Sequence, residues 1–260
     1  MRTNRVKAAL KAGQVVLGSE VSGLHSAEVP RLFAEAGLDF AFIDMEHSSM
    51  GLETVADLVH SARQAGITPI VRVPQAEYPW VARVLDNGAL GIIVPRVNTE
   101  EETRQIVSWT RYPPRGIRGF ACTRAQSEGE PISPRDYIEW VDAETLVVIQ
   151  IERREAMENL EAMLSVPGVD VACMGLMDLS ADLGIPGEID HPEMIAAVDR
   201  VVEVCRARGI AAGIITADMR AIQFWIGRGM RFVSYSTDFL LLKDAASRAC
   251  RQMRETPTGR

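Results

Sequence analysis

The stretch "FAFIDMEHSSMGLETVADLVHSARQAGITPIVRVP" (40–74) decides the fold. It opens on an apolar run of strand length, 40–46, whose end carries Asp44 and Glu46, with His47 next. From 52 to 66, apolar residues return at three- and four-residue spacing (Leu52, Val55, Leu58, Val59, Ala62) and Gly66 closes the run. That spacing predicts an amphipathic helix with a glycine stop. A second strand-like run, 68–74, follows at once. Strand, helix and strand in close succession make a βαβ unit, with parallel strands and a right-handed crossover.

The same alternation extends in both directions. Strands are predicted at 15–21, 91–97, 145–152, 169–175, 210–216 and 231–238, and helices at 26–37, 78–88, 99–112, 154–168, 191–209, 217–229 and 239–255. No linker of domain-boundary character separates them, so residues 1–260 are read as one domain. Eight strand–helix units in a chain of 260 residues match the size of a (β/α)8 TIM barrel. A doubly wound open sheet is the competitor. Its usual signature, G-x-G-x-x-G, is missing from the first strand–helix junction, "GSEVSGLHSAE" (18–28). One Pro/Gly/Arg-rich stretch, 113–133, has no periodicity and runs into a short helix, "PRDYIEWVDAE" (134–144). Long irregular segments in compact domains are commonly functional, so 113–133 is expected to shape specificity.

Composition narrows the classes. The net charge is −7, and the chain contains only three lysines, Lys7, Lys11 and Lys243. There is no basic patch, so nucleic acid is not an expected partner. The N-terminal stretch has no apolar core of a signal peptide, and no apolar run approaches the ~20 residues that span a bilayer, so a membrane is not expected either. Cys122, Cys173, Cys205 and Cys250 form no C-x-x-C pair, which argues against a disulfide framework and for a cytoplasmic protein.

In a barrel, chemistry gathers at the C-terminal ends of the strands. Asp44, Glu46 and His47 end the second strand, Arg72 lies near the end of the third, Gln150 and Glu152 end the fifth, and Asp178 follows the sixth. Period-two geometry puts Asp44 with Glu46, and Gln150 with Glu152, on one face of their strands. Any one polar strand end can equally be a helix cap, and Arg72 can equally be an ion-pair partner of Asp44. Glu20 and Asp238 are read in that plainer way. His25, His60, His191 and the cysteines are read as structural, and Met174 and Met177 as packing residues at the rim. Two carboxylates with no His or Cys beside them suit a hard divalent cation that keeps open positions, a role that Glu152 and Asp178 fit. Zinc normally takes more nitrogen or sulfur ligands.

The strings "FIDMEHS", "VRVP", "GALGIIVPRV", "YPPRGIRG", "VVIQIERREAMENL" and "GVDVACMGLMDLSADLGIPG" occur in an order and spacing that resemble the HpcH/HpaI family over nearly the whole chain. These are metal-dependent class II pyruvate aldolases of the 4-hydroxy-2-oxoheptanedioate and 2-keto-3-deoxy sugar acid type. The resemblance implies a barrel of the phosphoenolpyruvate/pyruvate type and a divalent cation (Mg2+, Mn2+ or Co2+) on Glu152 and Asp178. It implies that Arg72 contacts the pyruvyl group, that His47 and Asp44 form an acid/base dyad, and that Gln150 lines the site. The backbone of Gly175, Leu176 and Met177 would hold the substrate carboxylate, and Asp86 would reach a neighbouring subunit's site. A hexamer, a dimer of trimers with exchanged C-terminal helices, is also implied. "GLMD" stands where the family has Gly-Pro-x-Asp, "SSMG" follows the His in place of a common Ala-Pro turn, and "SYSTD" replaces a glycine-containing eighth strand.

The implied reaction is reversible cleavage of a 4-hydroxy-2-oxo acid to pyruvate and an aldehyde through a metal-stabilised enolate. The alternative route, a Schiff base on a lysine, lacks a candidate, because no lysine is at a strand end. Two other readings stay open: a lyase of the citrate-lyase β-subunit or malyl-CoA type, and a binding relative without turnover.

Overall fold

A computed structural model describes residues 3–256. Eight strands close into a barrel in chain order: β1 (Val16–Val21), β2 (Phe40–Asp44), β3 (Thr68–Arg72), β4 (Gly91–Val94), β5 (Leu146–Ile151), β6 (Val171–Met174), β7 (Ala211–Thr216) and β8 (Phe232–Thr237). Each strand pairs with its neighbours in parallel, and β8 returns to β1. The strands are short and nearly all buried because both faces are covered, one by helices and one by the barrel interior.

Side-chain alternation divides the core in two. Phe40, Phe42, Ile70, Ile93, Val148 and Phe232 fill the interior, with Phe40 stacked on Phe232 at 4.4 Å between ring centroids. Ala41, Ile43, Val71, Ile92, Ile149 and Ala172 point outward into the layer shared with the helices. Extending the inward columns toward the C-terminal mouth leads from Phe40 and Phe42 to Asp44, from Ile70 to Arg72, and from Val148 to Gln150 and Glu152. The lower interior is therefore apolar and its top layer ionisable.

The opposite end is plugged by an unanticipated helix, Arg5–Lys11. Asn4 caps it and donates from Nδ2 to the carbonyls of Leu90 and Glu144. Lys7 is buried there, its Nζ 2.7 Å from the Thr145 carbonyl and 3.0 Å from Asp170. That places Lys7 at the end of the barrel where β5 and β6 begin, away from the mouth.

Two expectations change, and one segment gains a location. The helix predicted over 154–168 breaks at Asn159 into Arg154–Glu158 and Leu160–Met163, and Asn159 turns its amide to the Asn98 carbonyl. A seven-residue helix, Leu176–Asp182, occupies part of the expected loop after β6. The stretch 113–133, whose expected part in specificity carried no location, lies at the plugged end. It follows the helix Glu100–Trp109 and precedes β5, and in a barrel such connections join helix ends to strand starts. Its contacts agree: Thr123 Oγ1 and Gln126 Nε2 donate to the carbonyls of Asp86 and Leu85, just before β4.

Candidate active site

Arg72 organises the mouth. Its Nε lies 2.7 Å from Asp44 Oδ1 and its Nη2 2.9 Å from Oδ2, a two-toothed pair between buried side chains. Arg–carboxylate forks of this kind fix orientation as well as charge. Burial pushes the Asp44 carboxyl up, but the hydrogen bonds and charge of Arg72, joined by the amides of Glu46 and His47, hold it below the usual carboxylate range. The remaining guanidinium nitrogen, Nη1, is 3.4 Å from Gln150 Oε1 and 3.4 Å from Glu46 Oε2.

This geometry corrects the expected Asp44–His47 dyad. Asp44 receives the backbone N–H of His47, while both of its oxygens belong to Arg72. The His47 imidazole projects outward, 62% exposed, with Nε2 3.8 Å from Glu46 Oε2. The strand ends at Asp44, and the bend that follows frees His47 from the pleat. Glu46, the least defined member of the sequence motif, turns out to be the bridging group: it touches Arg72, His47 and, through Oε1 at 2.9 Å, Arg96 Nη2.

Glu152 is buried beside them. Its Oε1 accepts the backbone N–H of Arg96 at 2.6 Å and its Oε2 accepts from Gln150 Nε2. Burial raises its pKa, opposed by the Arg96 amide and reinforced by the charges of Glu46 and Asp178. Gly175 is needed here: a Cβ on it would lie 2.5 Å from Glu152 Oε2 and 2.8 Å from Gln150 Nε2. Asp178 sits in the first turn of helix Leu176–Asp182, exposed toward solvent. Crowded carboxylates that repel one another, in space that only a glycine leaves open, fit a divalent cation. Among the described residues no three His, Cys, Asp or Glu form a ready cage. Two carboxylates completed by water and substrate oxygens are what Mg2+ or Mn2+ accepts.

The loop 175–177 divides. The Gly175 N–H is spent on the Ile151 carbonyl. Leu176 and Met177 occupy the helix's first turn, where amides have no partner within the helix and no side chain caps them. Met174 is buried, but Met177 is 66% exposed and is not a packing residue. Asp86 ends helix Tyr78–Asp86 at the plugged end, paired with the buried Arg118 of its own chain, Oδ1 to Nη2 2.6 Å. It does not enter its own barrel's mouth. Asp238 keeps the plain role, accepting the N–H groups of Gly23 and Leu24. Glu20 also hydrogen-bonds locally, to Ser22, and it lies on β1's inward face, where burial raises its pKa and the charges of Asp44 and Arg72 act on it.

Sequence reasoning missed Arg96. Its role depends on a left-handed backbone (φ 57°) that a Pro-Arg-Val string does not signal.

Residues 22–245 match the sequence model of the HpcH/HpaI aldolase/citrate lyase family. The chain is 37% identical over 243 residues to a 4-hydroxy-2-oxo-heptane-1,7-dioate aldolase of Escherichia coli, covering 94% of this chain and 92% of that one. It is 33% identical over 255 residues to a hydroxypyruvate/pyruvate aldolase of Cupriavidus necator, covering 98% and 94%. The crystal structure of an HpcH/HpaI aldolase from Desulfitobacterium hafniense superposes with a TM-score of 0.91 at 31% identity, covering 96% of this chain and 97% of that one.

Proposed function

The chain belongs to the HpcH/HpaI aldolase/citrate lyase family, and from that premise we propose that it reversibly cleaves a 4-hydroxy-2-oxo acid to pyruvate and an aldehyde, with Mg2+, Mn2+ or Co2+ on Glu152 and Asp178. The observation that carries the reading is the Arg72 clamp. A buried guanidinium is locked by Asp44 through two nitrogens and keeps Nη1 toward Gln150, next to the buried Glu152.

In cleavage, the C4 hydroxyl loses its proton, the C3–C4 electron pair moves into the C2–C3 bond, and negative charge grows on the 2-oxo oxygen. Arg72 supplies a preorganised donor and a fixed positive charge for that oxygen. A divalent cation held by Glu152 and Asp178 would supply Lewis-acid polarisation of the same carbonyl. The amides of Leu176 and Met177, at an uncapped helix start, receive the substrate carboxylate. His47 takes the C4 hydroxyl proton, and Glu46 at 3.8 Å steadies the imidazolium. Protonation of C3 completes pyruvate.

Helix Asp238–Glu255 supports an assembly. Phe239, Leu242 and Met253 are exposed on it, as expected of a helix that a neighbour covers in a dimer of trimers. No helix among the described residues is long and apolar enough to cross a membrane. The free thiols of Cys122 and Cys250, both exposed, suit the reducing cytoplasm.

The test is a lactate dehydrogenase-coupled screen for pyruvate release from 4-hydroxy-2-oxo acids, with Mg2+, Mn2+ or Co2+ and after EDTA. Pyruvate release that chelation abolishes and metal restores is the expected result. Activity that survives full chelation removes the metal. No release from any substrate turns the reading to a citrate-lyase-type reaction or to a binding protein.

A further inference from the structure

The geometry points to Arg96 as a positioning residue for Glu152, and this inference rests on the metal reading above. Arg96 follows β4 and is one of three non-glycine residues with a left-handed backbone among those described, at φ 57°. L-residues enter that region at a cost, and they stay there only where the surroundings over-determine it. The surroundings do so here. Asn98 Nδ2 donates to the Arg96 carbonyl at 3.1 Å, the Asn98 N–H is held by Glu102 Oε2 at 2.8 Å, and Asn159 Nδ2 donates to the Asn98 carbonyl at 2.9 Å. Helix Glu100–Trp109 begins directly beyond, on a Thr99–Glu102 capping box. The turn is thus pinned from the helix and from the segment after β5.

What the left-handed turn delivers is the Arg96 N–H, aimed at Glu152 Oε1 at 2.6 Å. With Gln150 on the other oxygen, the carboxylate is held from both sides before any ligand arrives. A glycine would deliver the same amide more cheaply. The arginine adds a second hold: its Nη2 bridges Glu46 Oε1 at 2.9 Å and the Pro74 carbonyl at 3.0 Å, tying the ends of β2 and β3 to the same turn. Its N–H and guanidinium contact Glu152, Glu46 and Pro74, none of them a substrate atom, so its part is positional. It acts through Glu152 by its backbone and through Glu46 by its side chain.

The test measures Mn2+ affinity, by the electron paramagnetic resonance of free Mn2+, on the full chain and its variants, beside the thermal midpoint of each metal-free protein. Arg96→Gly keeps the left-handed amide and should bind Mn2+ within about threefold of the wild type. Arg96→Val, whose β-branch disfavours the left-handed region, should bind about tenfold more weakly with a far smaller relative change in thermal midpoint. If Arg96→Val does not fold, Asn98→Ala, which releases the Arg96 carbonyl, takes its place: affinity falls, and Arg96→Gly in the same background restores it. Equal affinities for the Gly and Val variants, or a Gly substitution that fails to rescue Asn98→Ala, overturn the inference while leaving the metal reading intact. A wild type that binds no Mn2+ overturns both.

Discussion

The Asp44 carboxylate grips Arg72, not His47: Oδ1 receives Nε at 2.7 Å and Oδ2 receives Nη2 at 2.9 Å, both side chains buried at the end of adjacent strands. The carboxylate orients the guanidinium at the barrel mouth, and the His47 imidazole is left exposed beside Glu46.

Removing Asp44 therefore strands a buried guanidinium. Asp44→Ala should cost about 3–5 kcal/mol of stability, the range for breaking a buried pair from one side, and should abolish turnover. Urea unfolding checks the first and pyruvate release the second. Because the Asp44 pKa is held low, this contribution persists at any pH above the ordinary carboxylate range and fades only as acid titrates the folded carboxylate. An Asp44→Ala protein as stable as wild type at pH 7 would remove the pair from the fold's support.

His47 is exposed, and among the described residues its side chain meets only Glu46. His47→Ala should leave the unfolding midpoint and pyruvate binding close to wild type and slow carbon–carbon cleavage by roughly 10²–10⁴-fold. Unchanged turnover would assign the base elsewhere.

Gly175→Ala tests the space beside the carboxylate. The new methyl would sit 2.5 Å from Glu152 Oε2 and 2.8 Å from the Glu152 Cβ, so Glu152 must move. Divalent-metal affinity should fall at least about tenfold, the effect expected when a ligand's immediate support is lost, and calorimetric titration with Mn2+ reads it. Retained affinity would show that Glu152 is not a ligand.

Glu20 has the opposite sign to Asp44. Burial first, then the charges of Asp44 and Asp238, raise its pKa against the pull of Ser22 and Arg72. A raised folded value means the folded state takes up the proton first. Stability relative to Glu20→Gln should thus rise as pH falls from 7 toward the ordinary glutamate value of 4.5, and be lost again as pH climbs through the raised folded value. Paired urea titrations across that interval measure it, and parallel curves for the two proteins refute it.

Much of this was legible in the chain. The 3.6-residue spacing of Leu52, Val55, Leu58 and Val59 and the apolar runs around it specify a βα repeat, and eight repeats specify a barrel. Period two along a strand placed Gln150 with Glu152, and Asp44 beneath Glu46, on the face that became the mouth. The location of 113–133 was also available, since a segment after a helix and before a strand belongs at the plugged end.

The amino-acid sequence by itself placed Asp44, Arg72, Gln150 and Glu152 at strand ends on the barrel's C-terminal rim, because periodicity is a property of one element at a time. Only the tertiary structure decided who holds whom there. That Arg72 takes Asp44 from His47, that Glu46 bridges two arginines, and that a left-handed Arg96 steadies Glu152 across 56 residues of sequence follow from the register between neighbouring strands and from closure of the barrel. Those relations join separate elements, and no local pattern of side chains encodes them.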